Sequence, residues 1–285
     1  MNYIYHNGEF LDKSKPCISS DNRGFRYGDG FFESIRIING EPVFLENHFN
    51  RIMDGLKVYK IDTPEKFSKE LLKSEILLLL DKNGISQGGR VRVTLTRKGN
   101  GFYAPDTNDL DYIIEADTKP DNYFLLNNTG KIVDLFPDLK KQINSFSIFK
   151  TLNCQLYIHA SLFAKEKTID EALIQNEKFG IIESSVSNIF LVSNGVLYTP
   201  GLAEGCVGGT MRMNIINLAI ENSIKVYECN LTPQNLLAAD EIFLTNAING
   251  VQWVGSYRTK RYFNNTSKKI LDMLNKSIAN PPIVA

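Results

Sequence analysis

The Asn194-Gly195 dipeptide is the strongest constraint on how this 285-residue chain can fold. It separates IFLVS from VLYTP, two short blocks rich in β-branched and aromatic residues. Asn-Gly between such blocks favours a two-residue hairpin loop, because both residues tolerate the positive φ the turn requires. A hairpin makes its strands antiparallel, so this region is not a regular alternation of strand and helix. Other strand-length blocks are KIVDLF, EALIQN, GIIESS and NIFLVSN, and nearer the N-terminus FFESIRII, RVRVTLTR and DYIIEAD.

Helical patterns lie between them. Leu45, Phe49, Ile52, Met53 and Leu56 recur at i, i+4, i+7, i+8 and i+11, the spacing of one helix face. Pro64 opens a second helix through Leu80, and further helices follow Lys150, Gly209, Thr232 and Asn264 or Asn265. Hairpins mixed with a few crossovers predict an α+β fold in two domains. The polar, proline-centred stretch DTKPDN marks the join. The expected division is a smaller N-terminal domain over 1–117, a linker over 118–122 and a larger domain over 123–285.

Charge narrows the function. Lys plus Arg and Asp plus Glu number 32 each, giving a formal net charge of zero and no basic block for nucleic acid. The longest apolar run, ILLLL, is too short to span a bilayer, and MNYIYHNGEF has no secretory pattern. Cys17, Cys154, Cys206 and Cys229 stand far apart, as reduced thiols of a cytoplasmic protein do, and neither they nor the three histidines have metal-ligand spacing. No membrane, nucleic-acid or metal partner is expected. His159 falls on the same helical face as Leu152 and Leu156 and reads as a core histidine, and His48 reads as a cap or packing residue.

Three separated stretches carry chemistry. Lys150 follows Ser147-Ile148-Phe149, which reads as the end of a buried strand, and precedes a helix; burial there frees an amine for carbonyl chemistry. Glu183, in GIIESS, ends a strand before a patch of serines. Gly205, Gly208 and Gly209 open an apolar-periodic helix, whose first N–H groups attract an anion. Singly, each has a plainer reading, since most lysines and acids are solvated and most glycine turns only turn.

In this order and spacing they resemble the class IV aminotransferases, the fold-type IV pyridoxal-phosphate enzymes, from YGDGFFESIRI to FLTNAINGVQWV. That family includes branched-chain aminotransferase, D-amino acid aminotransferase and aminodeoxychorismate lyase. The resemblance implies the cofactor pyridoxal 5′-phosphate between two domains, and a homodimer that completes the site. It implies Lys150 as the Schiff-base lysine and catalytic base, and Glu183 as partner of the pyridine nitrogen. Arg51, in HFNRIMDGL, Gly209, Thr210, Thr245, Asn246 and Ala247 would hold the phosphate. Tyr27, Arg36 and Tyr103 would line the substrate side. The implied activity is amino transfer between an α-amino acid and a 2-oxo acid. Aminodeoxychorismate lyase is the alternative, favoured by Lys150-Thr151-Leu152-Asn153, by Met211 and by Thr245-Asn246-Ala247; against it, Gly101 and Phe102 stand where the lyase carries a basic residue. A non-catalytic pyridoxal-phosphate binding protein is the remote third reading.

Overall fold

The computed structural model describes residues 2–279 and divides into two compact units, Met1–Tyr123 with Phe149–Asn153, and Phe124–Ile148 with Cys154–Ala285. The first contains β1 (Tyr3–His6), β2 (Glu9–Asp12), α1 (Arg23–Tyr27), β3 (Gly30–Ile38), β4 (Glu41–Pro42), α2 (Leu45–Tyr59), α3 (Lys69–Lys82), β5 (Gly89–Arg97) and β6 (Leu110–Thr118). Its strands form one antiparallel sheet in the order β2-β1-β6-β5-β3-β4. The β1–β2 hairpin, absent from the sequence expectations, turns at Asn7-Gly8, the dipeptide also found at 194–195.

Strand alternation assigns the two faces of this sheet. Phe31, Ile35 and Ile37 of β3 and Val91, Val93 and Leu95 of β5 share a core with Ile52 and Leu56 of α2 and Leu72, Ile76 and Leu79 of α3. Each such side chain contributes roughly 1.5–3 kcal/mol through burial. Gly55 lets α2 come close to β3, since a Cβ there would meet the Phe31 ring at 2.6 Å. The opposite face carries Phe32, Ser34 and Arg36, paired with Thr94, Arg92 and Arg90. The second helix starts at Lys69 rather than Pro64, because Pro64–Phe67 close a turn that buries Phe67 and Ser68 Oγ accepts the Leu71 N–H as the cap.

Glu75 of α3 is a carboxyl inside this apolar core, accepting the Tyr112 hydroxyl at 2.7 Å. Burial raises its pKa, and hydrogen bonds from Tyr112 and Tyr5 only partly oppose the rise. A raised acid favours folding below its unfolded pKa, and that contribution is lost as pH rises through the folded value. Glu75→Gln should therefore match the parent near pH 4 and exceed it in Tm at pH 8. A pH-independent difference in thermal unfolding would contradict this account of Glu75.

The second unit contains β7 (Lys131–Leu135), α4 (Gln155–Glu166), β8 (Glu171–Gln175), β9 (Ile181–Ser184), β10 (Asn188–Ser193), β11 (Val196–Thr199), α5 (Thr210–Glu221), β12 (Val226–Glu228), α6 (Pro233–Ala238), β13 (Glu241–Asn246), β14 (Gly250–Tyr257), β15 (Lys260–Arg261) and α7 (Asn265–Ala279). The order is β12-β11-β10-β13-β14-β7-β8-β9, with β15 on β14. β9 also pairs with β10 through Glu183 and Asn188, so the strands from β10 round to β9 close a ring. Asn194-Gly195 forms the β10–β11 hairpin turn, both residues at positive φ.

Three local expectations are corrected. Residues 145–148 form a turn, not a strand end. Asn144 N–H donates to Ser147 Oγ, Ser147 Oγ to the Gln142 carbonyl, and Phe146 N–H to Asn144 Oδ1, so side chains capture the backbone. The helix after Lys150 begins only at Gln155, which leaves Leu152 outside it; His159 is exposed, and Ala160 and Ala164 form the buried stripe. His48 is not a cap but a buried partner of Glu33. The four cysteines are unpaired in disulfides, and no helix among the described residues is long and apolar enough to cross a membrane.

Candidate active site

Lys150 belongs to the first unit, in a short segment laid against the start of β3. Phe32 N–H donates to the Lys150 carbonyl at 2.9 Å and Leu152 N–H to the Gly30 carbonyl at 3.0 Å, so a strand fixes the lysine backbone. Lys150 Nζ lies 5.0 Å from the centre of the Phe32 ring. The Arg92 guanidinium lies 3.7 Å from the same ring, and Arg92 Nε donates to Thr94 Oγ1 at 3.1 Å. Amine and guanidinium thus share one aromatic platform on the polar face of the sheet. Sequence alternation marks Arg92 only as a polar-face residue and gives no sign of that neighbour.

On the other face, Arg51 grips Glu33 with two prongs, Nε to Oε1 and Nη2 to Oε2, both at 2.6 Å. His48, one turn earlier on α2, contacts Glu33 Oε2 through Nδ1 at 2.7 Å. Burial would raise the Glu33 pKa, but the Arg51 charge and the His48 and Arg51 hydrogen bonds outweigh it and bring it down to about 2. Burial lowers the His48 pKa, with Glu33 opposing, so the ring is neutral and Nδ1–H donates. Arg51 is thereby a preset cation whose orientation is fixed before any anion arrives.

Of the three residues expected on the substrate side, Tyr27 and Tyr103 meet, with ring centres 5.8 Å apart. Arg23 organises them: its guanidinium lies 5.1 Å from the Tyr27 ring, and Nη1 donates to the Asn100 and Phe102 carbonyls at 3.0 and 2.8 Å, shaping the loop that carries Tyr103. Arg36 has a different setting. It is 1% exposed, Nη2 donates to the Asp121 carbonyl, and Nε and Nη1 have no hydrogen-bond partner. Its guanidinium is withdrawn from solvent.

The second unit holds an acid and an anion seat in one row. Glu183 on β9 pairs with Asn188 on β10, which pairs with Thr245 on β13, and directly paired residues share a face. Glu183 to Thr245 therefore spans two strand spacings, about 10 Å. Glu183, 2% exposed, accepts three donors: Lys141 Nζ at 2.7 Å and Tyr157 OH at 2.8 Å on Oε1, and Val207 N–H at 2.7 Å on Oε2. Two carboxylate oxygens offer about four acceptor sites, so room for one more donor remains. Lys141, Tyr157 and Asn188 were not legible as functional; Lys141 sits in a polar run that reads as solvated.

At the other end of the row, Gly209 is the N-cap of α5 and Thr210 its first residue, with no side chain capping the helix. First-turn N–H groups and the helix dipole favour an anion there. Thr245 Oγ1 is fully buried without a hydrogen-bond partner. Asn246 Nδ2 donates to Ser187 Oγ at 3.1 Å and its Oδ1 accepts the Ile248 and Asn249 N–H groups, which fixes the turn containing Ala247. Asn188 Nδ2 donates to the Val207 carbonyl at 2.8 Å, and a Cβ on Gly209 would lie 2.0 Å from Asn188 Oδ1. The uncapped helix and orphan hydroxyl fit a phosphate, and Glu183 fits a basic ring nitrogen. Those are the two demands of pyridoxal phosphate.

Gly209→Ala would push Asn188 off Val207 and tilt the helix start. We expect the dissociation constant for pyridoxal phosphate to rise by at least about tenfold, or 1.4 kcal/mol, with Tm of the cofactor-free protein within a few degrees of the parent. Unchanged affinity by equilibrium dialysis would place the phosphate elsewhere.

Comparison with known proteins gives one family. The family model "Amino-transferase class IV" matches residues 30–257. A Methanocaldococcus jannaschii protein named as a branched-chain-amino-acid aminotransferase is 32% identical over 247 residues, covering 85% of this chain and 83% of its own. Aminodeoxychorismate lyase of Bacillus subtilis is 27% identical over 256 residues, covering 86% and 83%. The branched-chain aminotransferase of Thermoproteus uzoniensis, solved with norvaline, superposes with a TM-score of 0.87 at 21% identity, over 97% of this chain and 94% of that one.

Proposed function

Because the chain belongs to the class IV aminotransferases, we propose that it moves an amino group between an α-amino acid and a 2-oxo acid, with pyridoxal 5′-phosphate bound by the residues above. The observation that carries this reading is the row Glu183-Asn188-Thr245, which sets a buried acid and an orphan hydroxyl about 10 Å apart on one face. That separation suits a pyridine ring bearing a phosphomethyl arm.

Bound there, pyridoxal phosphate supplies an electron sink that makes the α-C–H bond of an amino acid acidic. The chain does the rest. Lys150 Nζ would hold the cofactor and, once the incoming substrate amine has displaced it, the freed amine would take the α-proton and later give it back. Glu183 keeps a proton at the ring nitrogen. The start of α5, Thr245, Asn246 and Ala247 bind the phosphate, with Arg51 adding charge. Arg92, on the Phe32 ring beside Lys150, is the cation we place against a substrate carboxylate, since a guanidinium holds one by two hydrogen bonds. Arg36, on the same face of β3 as Phe32, is a second cation on the substrate side. Tyr27 and Tyr103 border the amino-acid side chain.

We further place the enzyme in the cytoplasm as a homodimer. Its four cysteines, none of them in a disulfide, suit a reducing compartment. Phe25, Phe102 and Tyr103, exposed on α1 and the Arg23-shaped loop, suit a face covered by a second copy. The lyase reading keeps Lys150 and Glu183 in the same roles and differs only after the proton has left. It is supported by the Bacillus subtilis relative. Incubation with a panel of amino acids, and separately with aminodeoxychorismate, decides between them. Conversion of the cofactor's absorbance to that of its aminated form by an amino acid, reversed by a 2-oxo acid, is the expected result. Pyruvate release without an amino acceptor would establish the lyase, and neither result in a cofactor-loaded protein would leave a carrier. A monomer by light scattering would remove the dimer.

A further inference from the structure

Lys141 makes two contacts that no known role accounts for. Its Nζ donates to Glu183 Oε1 at 2.7 Å and to the Ser147 carbonyl at 2.9 Å. Its backbone N–H donates to the Gln175 carbonyl, and Lys141 bridges to Asn176, so the residue is held at the edge of β8 and only its ammonium reaches inward. The ammonium also lies 5.5 Å from the centre of the Tyr157 ring, whose hydroxyl shares Glu183 Oε1. Lys141 and Glu183 are both largely buried, so solvent screens the pair little.

From this geometry we infer that Lys141 is a positioning residue: its ammonium holds Glu183 turned toward the cofactor ring, and it ties that acid to the turn three residues ahead of Lys150. The inference rests on the aminotransferase reading of Glu183. A hydrogen bond from a charged donor is shorter and stronger than one from a neutral donor, so the ammonium fixes the carboxylate most firmly. Tyr157 and Val207 supply direction but no charge. Without Lys141, Glu183 loses its one cationic donor and the tether that orients it, so its hold on the ring nitrogen loosens and the step that needs the electron sink slows. Binding of the phosphate and of the amino acid, which uses other residues, does not.

The test is a double-mutant cycle on Lys141→Met and Glu183→Gln in the cofactor-loaded enzyme, with cofactor affinity measured by equilibrium dialysis. Lys141→Met should lower kcat by about a hundredfold, the scale of a buried charge losing its counterion. KM for the amino donor and the cofactor dissociation constant should stay within about threefold, because neither depends on this contact. Lys141→Arg should recover activity to within about tenfold of the parent. The double variant should be no slower than Glu183→Gln alone, since both changes remove one interaction. If Lys141→Met does not fold, Lys141→Gln, which keeps a donor for the Ser147 carbonyl but no charge, carries the same expectations. Multiplying losses in the double variant, or kcat within twofold of the parent, would overturn the inference. So would loss of the cofactor from the Lys141 variant while Glu183→Gln retains it. A parent that neither binds pyridoxal phosphate nor transfers an amino group would instead refute the aminotransferase reading, which the unsubstituted control detects separately.

Discussion

Lys150→Ala will lose turnover by at least about a thousandfold, because it removes the anchor and the base of one reaction together. The fold will survive the change. What fixes the segment is backbone, the Phe32 N–H on the Lys150 carbonyl and the Leu152 N–H on the Gly30 carbonyl, and alanine keeps both. Pyridoxal phosphate will still bind through the start of α5 and Thr245, but weakly and exchangeably. The variant should therefore show the parent's thermal unfolding without cofactor, a cofactor removable by dialysis, and no transfer above background. Activity within tenfold of the parent would show that another group moves the proton.

The second large effect is on stability. Glu33→Gln should destabilise the first unit by about 3–5 kcal/mol, the cost of breaking a buried ion pair by removing one partner. The substitution keeps the shape but leaves Arg51 without its two-pronged acceptor and His48 without its carboxylate. The loss has a pH signature. Glu33 is held down at about 2, so its stabilisation is full above the unfolded carboxyl range near 4.5 and disappears as pH falls toward 2. Denaturant unfolding should show the full gap between parent and variant at pH 7 and little gap at pH 2 and below. A gap that persists in acid would mean that packing, not charge, holds the cluster.

Sequence reasoning reached those parts of the fold and site where local signals and chemistry coincide. Asn194-Gly195 specified a hairpin because few residues tolerate its dihedrals. The α2 face was legible because its apolar period of 3.6 matches what the sheet buries. Glu183 and the Gly209 turn stood out since an acid at a strand end and glycines before a helix each break a pattern. Arg92 broke none: an arginine on the outer face of an alternating strand looks solvated, and only the structure shows the Phe32 ring that it shares with Lys150. Lys141 was hidden for the same reason, because its partner is far away in sequence. The Ser147-Ile148-Phe149 run before Lys150 misled, since the hydrogen bonds of Asn144 and Ser147 outweigh β propensity there. His159 misled because its helical phase was counted from Leu152, which lies before the helix begins.

The most direct test of the account is covalent. Purified protein is loaded with pyridoxal phosphate, treated with borohydride, digested and mapped by mass spectrometry. The predicted result is a yellow protein whose visible band is lost on reduction, with a phosphopyridoxyl group fixed irreversibly on Lys150 alone. A protein that stays colourless with added cofactor, or a label on any other lysine with Lys150 unmodified, would contradict it.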